Sequence, residues 1–167
     1  ELSNGEVESC VIECVKCIGK ATGIEEPEDI YIHTHDVLTR LYTQEKMFRE
    51  IRQRLIDRPD DDHLLLMGNI RNFHLINRLF GVECGNRVLV GIADVLRELF
   101  TDEEVYGRFR DDRFVIFMRR EKYDETALIG RIQQLASSLL ESPIYAVQIK
   151  IGVYEITDPE MPVVNMM

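Results

Sequence analysis

Apolar residues return along this chain with two distinct periods, and the switches between them mark its elements. Over residues 6–21, Val7, Cys10, Val11, Cys14 and Ile18 recur every three or four positions, the repeat of an amphipathic helix that ends near Gly23. Residues 24–36 carry Pro27 and several acids and read as a linker. Leu38, Leu41, Met47, Phe48, Ile51 and Leu55 then restore the helical repeat until Pro59 stops it, with Thr43 placed to cap the main body. The run HLLLMGNI, residues 63–70, is too apolar and too short for a surface helix and follows three aspartates, so it predicts a buried central strand.

Beyond that strand the pattern predicts a short helix through Phe73, Ile76, Asn77 and Phe80, a turn at GVECG, and a longer helix. Val88, Leu89, Ile92, Val95, Leu96 and Leu99 of the longer helix face the core. The period then falls to two. Residues 105–109 and 114–118 are short strands separated by Arg110, Asp111, Asp112 and Arg113, which is hairpin spacing. Residues 125–140 return to a helix with Leu128, Ile132, Leu135 and Leu139 inward, and residues 144–156 alternate as a last strand. Strand, two helices, hairpin, helix, strand is the order of an α+β sandwich of ferredoxin type, with a mainly antiparallel central sheet flanked by helices.

Composition narrows the function classes. A chain of 167 residues with 45% hydrophobic residues can close one core without a disulfide or metal. Its 30 acidic against 20 basic residues, a formal charge of -10, argue against a general affinity for nucleic acid or an anionic membrane. No apolar stretch approaches the roughly 20 residues that span a bilayer, and no signal-peptide pattern opens the chain. A cytoplasmic location is expected, free or as part of a membrane-tethered protein. Cys10, Cys14 and Cys17 share one helix face. Zinc would need a fourth ligand and a closed tetrahedron, which three cysteines on a straight helix supply poorly, so they read as reduced thiols in a packing stripe.

Four segments carry a resemblance to a known family: HDVLTRLYTQEKMF at residues 35–48, NIRNFHLINRLFGVECGNRVL at 69–89, GRFRDDRFVIF at 107–117 and IKIGVYEI at 149–156. In that spacing, without insertion, residues 35–167 resemble the GGDEF (diguanylate cyclase) domain family, which leaves residues 1–34 as an N-terminal helix and linker. The first segment is similar to the family's opening motif of Asp, Leu-Thr and a Leu-Tyr or Leu-Pro pair. The second is similar to its run of two metal-side acids, Phe-Lys, Ile-Asn and Gly-Asp. The third stands where the name-giving hairpin belongs.

The resemblance implies a nucleotidyl-cyclase-like sandwich. It also implies a reaction in which two domains face one another, each holding GTP, and each 3′-hydroxyl attacks the other's α-phosphate to make cyclic di-GMP. Carboxylates at the end of the first strand and in the hairpin would hold Mg²⁺, and two hairpin glycines would let the turn pass close to the nucleotide.

Against that pattern this sequence departs at most positions. Asn69 stands for the first metal aspartate, Arg71 for the second, and His74 for the phosphate-side lysine. The guanine-contacting asparagine survives as Asn77, while its aspartate partner is Asn86, which accepts only through its carbonyl oxygen. In the hairpin, Arg110 and Asp111 replace the glycines, Asp112 keeps the metal-binding acid, Arg113 replaces the second acid, and Phe114 is retained. A type I′ turn wants positive φ at its centre, so Arg110 and Asp111 are expected to strain or change it. The product-inhibition Arg-x-x-Asp would begin at Thr101, where the chain reads TDEE.

The expected site therefore has no intact catalytic set, a weak metal pair in Asn69 and Asp112, and nucleotide contacts limited to Asn77, Asn86 and His74. No cofactor is required, and Mg²⁺ enters only with residual nucleotide binding. Arg71, Arg78, Arg87, Arg110 and Arg113 are either a solvated surface set or the cationic border of the old cleft, an anion site in which guanidinium replaces metal charge. His33 and His35 offer no ligand set.

The leading expectation is a catalytically inactive, regulatory domain of a cyclic di-GMP signalling protein. The alternatives are a sensor holding GTP or another anion without turnover, and a weakly active cyclase. Because the family's last helix is missing after MPVVNMM, an adjoining domain is expected in a longer protein, with an EAL phosphodiesterase type as candidate. The helix over residues 6–21 packs on its own domain or pairs with a second copy.

Overall fold

The computed structural model describes residues 31, 33–140 and 148–167, without the side chains of residues 136, 137, 139 and 140. The helix expected over residues 6–21, its three cysteines and the start of the last strand lie outside the described residues. In chain order the elements are α1 (Gln44–Asp57), β1 (His63–Ile70), α2 (Phe73–Phe80), α3 (Val82–Leu99), β2 (Val105–Arg110), β3 (Arg113–Arg119), α4 (Glu125–Leu140) and β4 (Ile149–Glu155). Short 3₁₀ turns span Arg120–Lys122 and Val163–Met166.

The four strands lie in the order β2-β3-β1-β4, with every neighbouring pair antiparallel. Each helical crossover therefore skips one strand: α2 and α3 carry the chain from β1 past β3 to β2, and α4 carries it from β3 past β1 to β4. This is the split α+β sandwich that the element order predicts.

β1 explains the unbroken apolar run, because it is a central strand with a core packed on each of its faces. Leu64, Leu66 and Ile70 join Val88, Ile92, Leu96, Leu128 and Ile132 in a core beneath α2, α3 and α4. Leu65 faces the other way, into a second core with Met47, Ile51 and Leu55 of α1, Phe117 of β3, and Val163 and Met166. No helix among the described residues is long and apolar enough to cross a membrane.

Four local expectations need correction. Leu38 and Leu41 precede α1 in a turn-rich segment, since Asp36 Oδ1 accepts from both the Thr39 amide and hydroxyl and Arg40 takes φ 58, which breaks helical continuity. Thr43 occupies the N-cap position but its hydroxyl donates to the His33 and Thr34 carbonyls, leaving α1 without a side-chain cap. In GVECG only Gly81 leaves helical geometry, at φ 84, and Val82 already opens α3. Leu99, at the end of α3, is 39% exposed because it lies past the seam that Val95 and Leu96 bury.

His63 opens β1 buried, its ring stacked on Phe117 at 4.6 Å between centroids. Burial pushes its imidazole below the ordinary value of 6.5, against a smaller upward pull from Asp61. The unfolded chain therefore binds this proton more tightly. Stability that is complete above pH 6.5 is lost as the pH falls from there toward the folded value. A His63→Phe variant keeps the stack and removes the proton, so between about pH 7 and about pH 5 its melting temperature is expected to fall less than that of the parent. Parallel pH profiles for the two proteins in differential scanning calorimetry would refute this origin of acid lability.

Candidate functional site

The C-terminal end of β1 and the β2–β3 hairpin meet through backbone pairing, and that meeting builds the candidate site. Side chains alternate along β1, so Leu65, Met67 and Asn69 share the α1-side face. Asn69 stands opposite Arg113 of β3 on one edge and opposite Lys150 of β4 on the other. With strands about 4.8 Å apart, the register lays a row of cation, amide and cation across the sheet where an acidic metal site would need carboxylates.

The hairpin differs from the one expected. Arg110 pairs with Arg113 inside the ladder, so both arginines are strand residues and the turn is reduced to Asp111 and Asp112. A register shift between Arg108 and Arg110 absorbs Phe109 as the extra residue and makes that tight turn possible. Only Asp111 adopts positive φ, at 49°, a conformation that aspartate tolerates better than most side chains. Asp112, the retained acid, turns back onto β1 and accepts from the Ile70 amide at 3.0 Å. Phe114 is a core residue beneath α2, α3 and α4.

Arg108 fixes the hairpin to the segment before α1, a role the sequence pattern did not single out. Its Nε and Nη2 donate to the Asp111 carbonyl at 2.9 and 2.6 Å, while Nη1 reaches both carboxylate oxygens of Asp36 at 3.1 and 3.3 Å. The pair is largely screened from water, with side-chain exposures of 15% and 26%. Burial pushes the Asp36 carboxyl up, but the Thr39 hydroxyl, the Thr39 amide and Arg108 outweigh it and hold the group below the ordinary carboxylate value. Next to this pair, the Arg108 amide donates to the Tyr42 carbonyl at 3.0 Å. That approach requires Gly107, where a Cβ would stand 2.6 Å from the Tyr42 oxygen.

The expected nucleotide contacts sit on the helices that cover the opposite face. Asn77 of α2 presses its Oδ1 against Gly85 of α3, so that a Cβ on Gly85 would lie 1.9 Å away, and the oxygen is buried without a hydrogen-bond partner. An orphaned acceptor of this kind costs about 1–3 kcal/mol. Asn86 follows Gly85 directly and is half-buried, while His74 is exposed.

The arginines expected to border one cleft divide among different partners. Arg71 donates to Gln148 Oε1 at 2.9 Å, Arg110 stacks over Phe109, and Arg113 alone of these lines the pocket beside Asn69. Arg78 and Arg87 are on α2 and α3, away from that pocket. His35 stacks on Tyr31 at 4.0 Å and hydrogen-bonds Thr34, an ordinary polar contact. At the TDEE turn, Glu104 is buried and accepts from the Thr101 amide and hydroxyl, both at 2.9 Å.

The metal implied by the resemblance does not fit this arrangement. Magnesium takes hard, anionic oxygen ligands. Asn69 is neutral and lies between Arg113 and Lys150, Asp112 is engaged with the Ile70 amide, and no group of three His, Cys, Asp or Glu among the described residues could hold an ion.

Residues 33–166 match the family model described as "Diguanylate cyclase, GGDEF domain". The diguanylate cyclase DgcP of Escherichia coli (strain K12) is 33% identical over 96 residues, 55% of this chain; the match spans 28% of that protein's length. The fold is similar to that of the diguanylate cyclase SiaD of Pseudomonas aeruginosa, solved with its activator SiaC, with a TM-score of 0.67, 17% identity, and coverage of 97% of this chain and 63% of that one. The GGDEF domain of DgcB from Caulobacter crescentus, solved in complex with c-di-GMP, aligns with a TM-score of 0.63 and 15% identity over 80% of this chain and 82% of that one.

Two substitutions test the supports of the site. Asp36→Asn breaks the pair with Arg108 and is expected to cost about 1–3 kcal/mol in urea unfolding at neutral pH. The penalty shrinks in acid, because a depressed carboxyl contributes stability above its ordinary value and loses it as the pH falls through the folded one. Gly85→Ala is expected to destabilise by about 1–3 kcal/mol through overpacking. In the Asn77→Ala background most of that cost disappears, and additive losses in a double-mutant cycle would exclude the contact as its cause.

Proposed function

The chain belongs to the GGDEF diguanylate cyclase domain family of cyclic di-GMP signalling proteins, and we propose that this member regulates without condensing GTP. The observation that carries the reading is the row Arg113, Asn69 and Lys150, set in register at the position where relatives are expected to hold metal. Condensation needs a divalent ion to organise the triphosphate and neutralise developing charge. An amide flanked by two cations repels that ion. Losing one preorganised electrostatic group commonly costs a factor of about 10²–10³ in rate, and several are altered here together.

A second reading, a sensor that holds GTP or another anion without turnover, is supported by the survival of Asn77, which lies against Gly85, with Asn86 next in the chain in place of the expected aspartate. In either case the domain acts through contacts with other parts of a signalling protein. We propose an adjoining domain in a longer cytoplasmic or membrane-tethered chain, with an EAL phosphodiesterase type as the candidate, or a second copy. The activator complex of SiaD supports the view that domains of this fold work through protein partners.

Incubation with GTP and Mg²⁺ or Mn²⁺, followed by chromatography for cyclic di-GMP, tests the main reading. No product above the protein-free background is expected. Sustained product formation that scales with protein concentration would overturn it.

A further inference from the structure

A pocket of about 400 Å³ opens on the α1-side of the sheet, and its lining is unusual for so acidic a chain. Met67 and Asn69 contribute from β1, Arg113 from β3, Lys150 and Tyr154 from β4, and Met166 closes one end. No Asp or Glu lines it, although acids outnumber bases by 30 to 20 in the sequence. Arg113 and Lys150 have no ion-pair or hydrogen-bond partner among the described residues, and both are exposed.

The two cations cannot be far from a common target. Both are register partners of Asn69, so their backbones stand two strand spacings apart, about 10 Å, and their side chains extend into the same pocket. A guanidinium supplies a fork of donors for phosphate oxygens, an ammonium supplies a point charge, and an amide between them adds a neutral donor. The rest of the pocket is walled by Met67, Tyr154 and Met166, which suits the organic part of a phosphorylated molecule.

We propose that this pocket binds a phosphate-bearing anion without a divalent ion, its charged end held by Arg113 and Lys150 across Asn69. The proposal deepens the non-turnover reading above and identifies Lys150, which neither the hairpin nor the β1 motif includes, as a determinant of the site. Side-chain charge would take the place that metal charge holds in catalytic relatives. A magnesium ion bound to the ligand would compete with the two cations for the same oxygens, so chelation is expected to leave binding intact or strengthen it.

Isothermal titration of the full chain with inorganic pyrophosphate, and separately with GTP, each in EDTA at low salt, tests the proposal. Saturable binding is expected, weakened by at least about tenfold in Lys150→Glu and in Arg113→Glu, and unchanged in Arg131→Ala, a residue that pairs with Glu98 and does not line the pocket. Thermal melts verify that the exposed substitutions leave the fold intact. Absence of binding at millimolar pyrophosphate and GTP, binding that needs Mg²⁺, or binding that persists in Lys150→Glu would overturn the proposal. Cyclic di-GMP synthesis would instead defeat the non-turnover reading and leave metal-free binding standing, so the two failures are distinguishable.

Discussion

The register of β1 governs this molecule. The strand is hydrogen-bonded along both edges and packed on both faces, which leaves no freedom to slip by one residue: a slip would carry Leu64, Leu66 and Ile70 out of one core and Leu65 out of the other. Because that register is fixed by apolar packing, whatever residues occupy the end of β1 and the starts of β3 and β4 are brought side by side regardless of their own chemistry. Asn69, Arg113 and Lys150 are neighbours for this reason. The fold tolerates the row because Arg113 and Lys150 are exposed and Asn69 is only half-buried.

On the proposed reading, scaffold and site chemistry have separated. The hairpin remains anchored to the segment before α1 by Arg108, Asp36 and the close approach of Gly107 to Tyr42, and α2 remains pressed to α3 through Asn77 and Gly85. A partly buried, multiply hydrogen-bonded ion pair such as Arg108–Asp36 contributes more than an exposed pair such as Arg131–Glu98, which is worth under about 1 kcal/mol. These supports preserve the architecture of a GGDEF domain. On the proposed reading the charges that chemistry would need are altered in one direction, with Asn69, Arg71 and Arg113 where acids are expected and the hairpin acid Asp112 bonded to the backbone of β1.

Local chemistry explains where the hairpin diverges from expectation. A type I′ turn centred on Arg110 and Asp111 would place two non-glycine residues at positive φ. The chain instead pulls Arg110 into the ladder, inserts a bulge at Phe109 and asks only Asp111 to adopt φ 49. Moving the turn by one residue is less costly than straining two, since aspartate visits the left-handed region readily and arginine does not.

Much of this was legible in the sequence. The apolar run at residues 63–70, the helical repeats through Ile51, Ile92 and Ile132, and the hairpin around Asp111 fixed the element order, because burial on one or two faces imposes its period on a linear chain. The spacing of the motif segments was enough to identify the family, whose model matches residues 33–166. Lys150 was invisible as a site residue, being one polar position in an alternating strand some eighty residues from Asn69. Arg108 likewise read as an ordinary strand residue, 72 positions from its carboxylate partner. Pairings across the sheet depend on register and crossover, which are decided when two cores close around β1 and have no local signature along the chain. The sequence by itself therefore determined which elements form, and the tertiary structure alone decided that Arg113 and Lys150 stand on either side of Asn69.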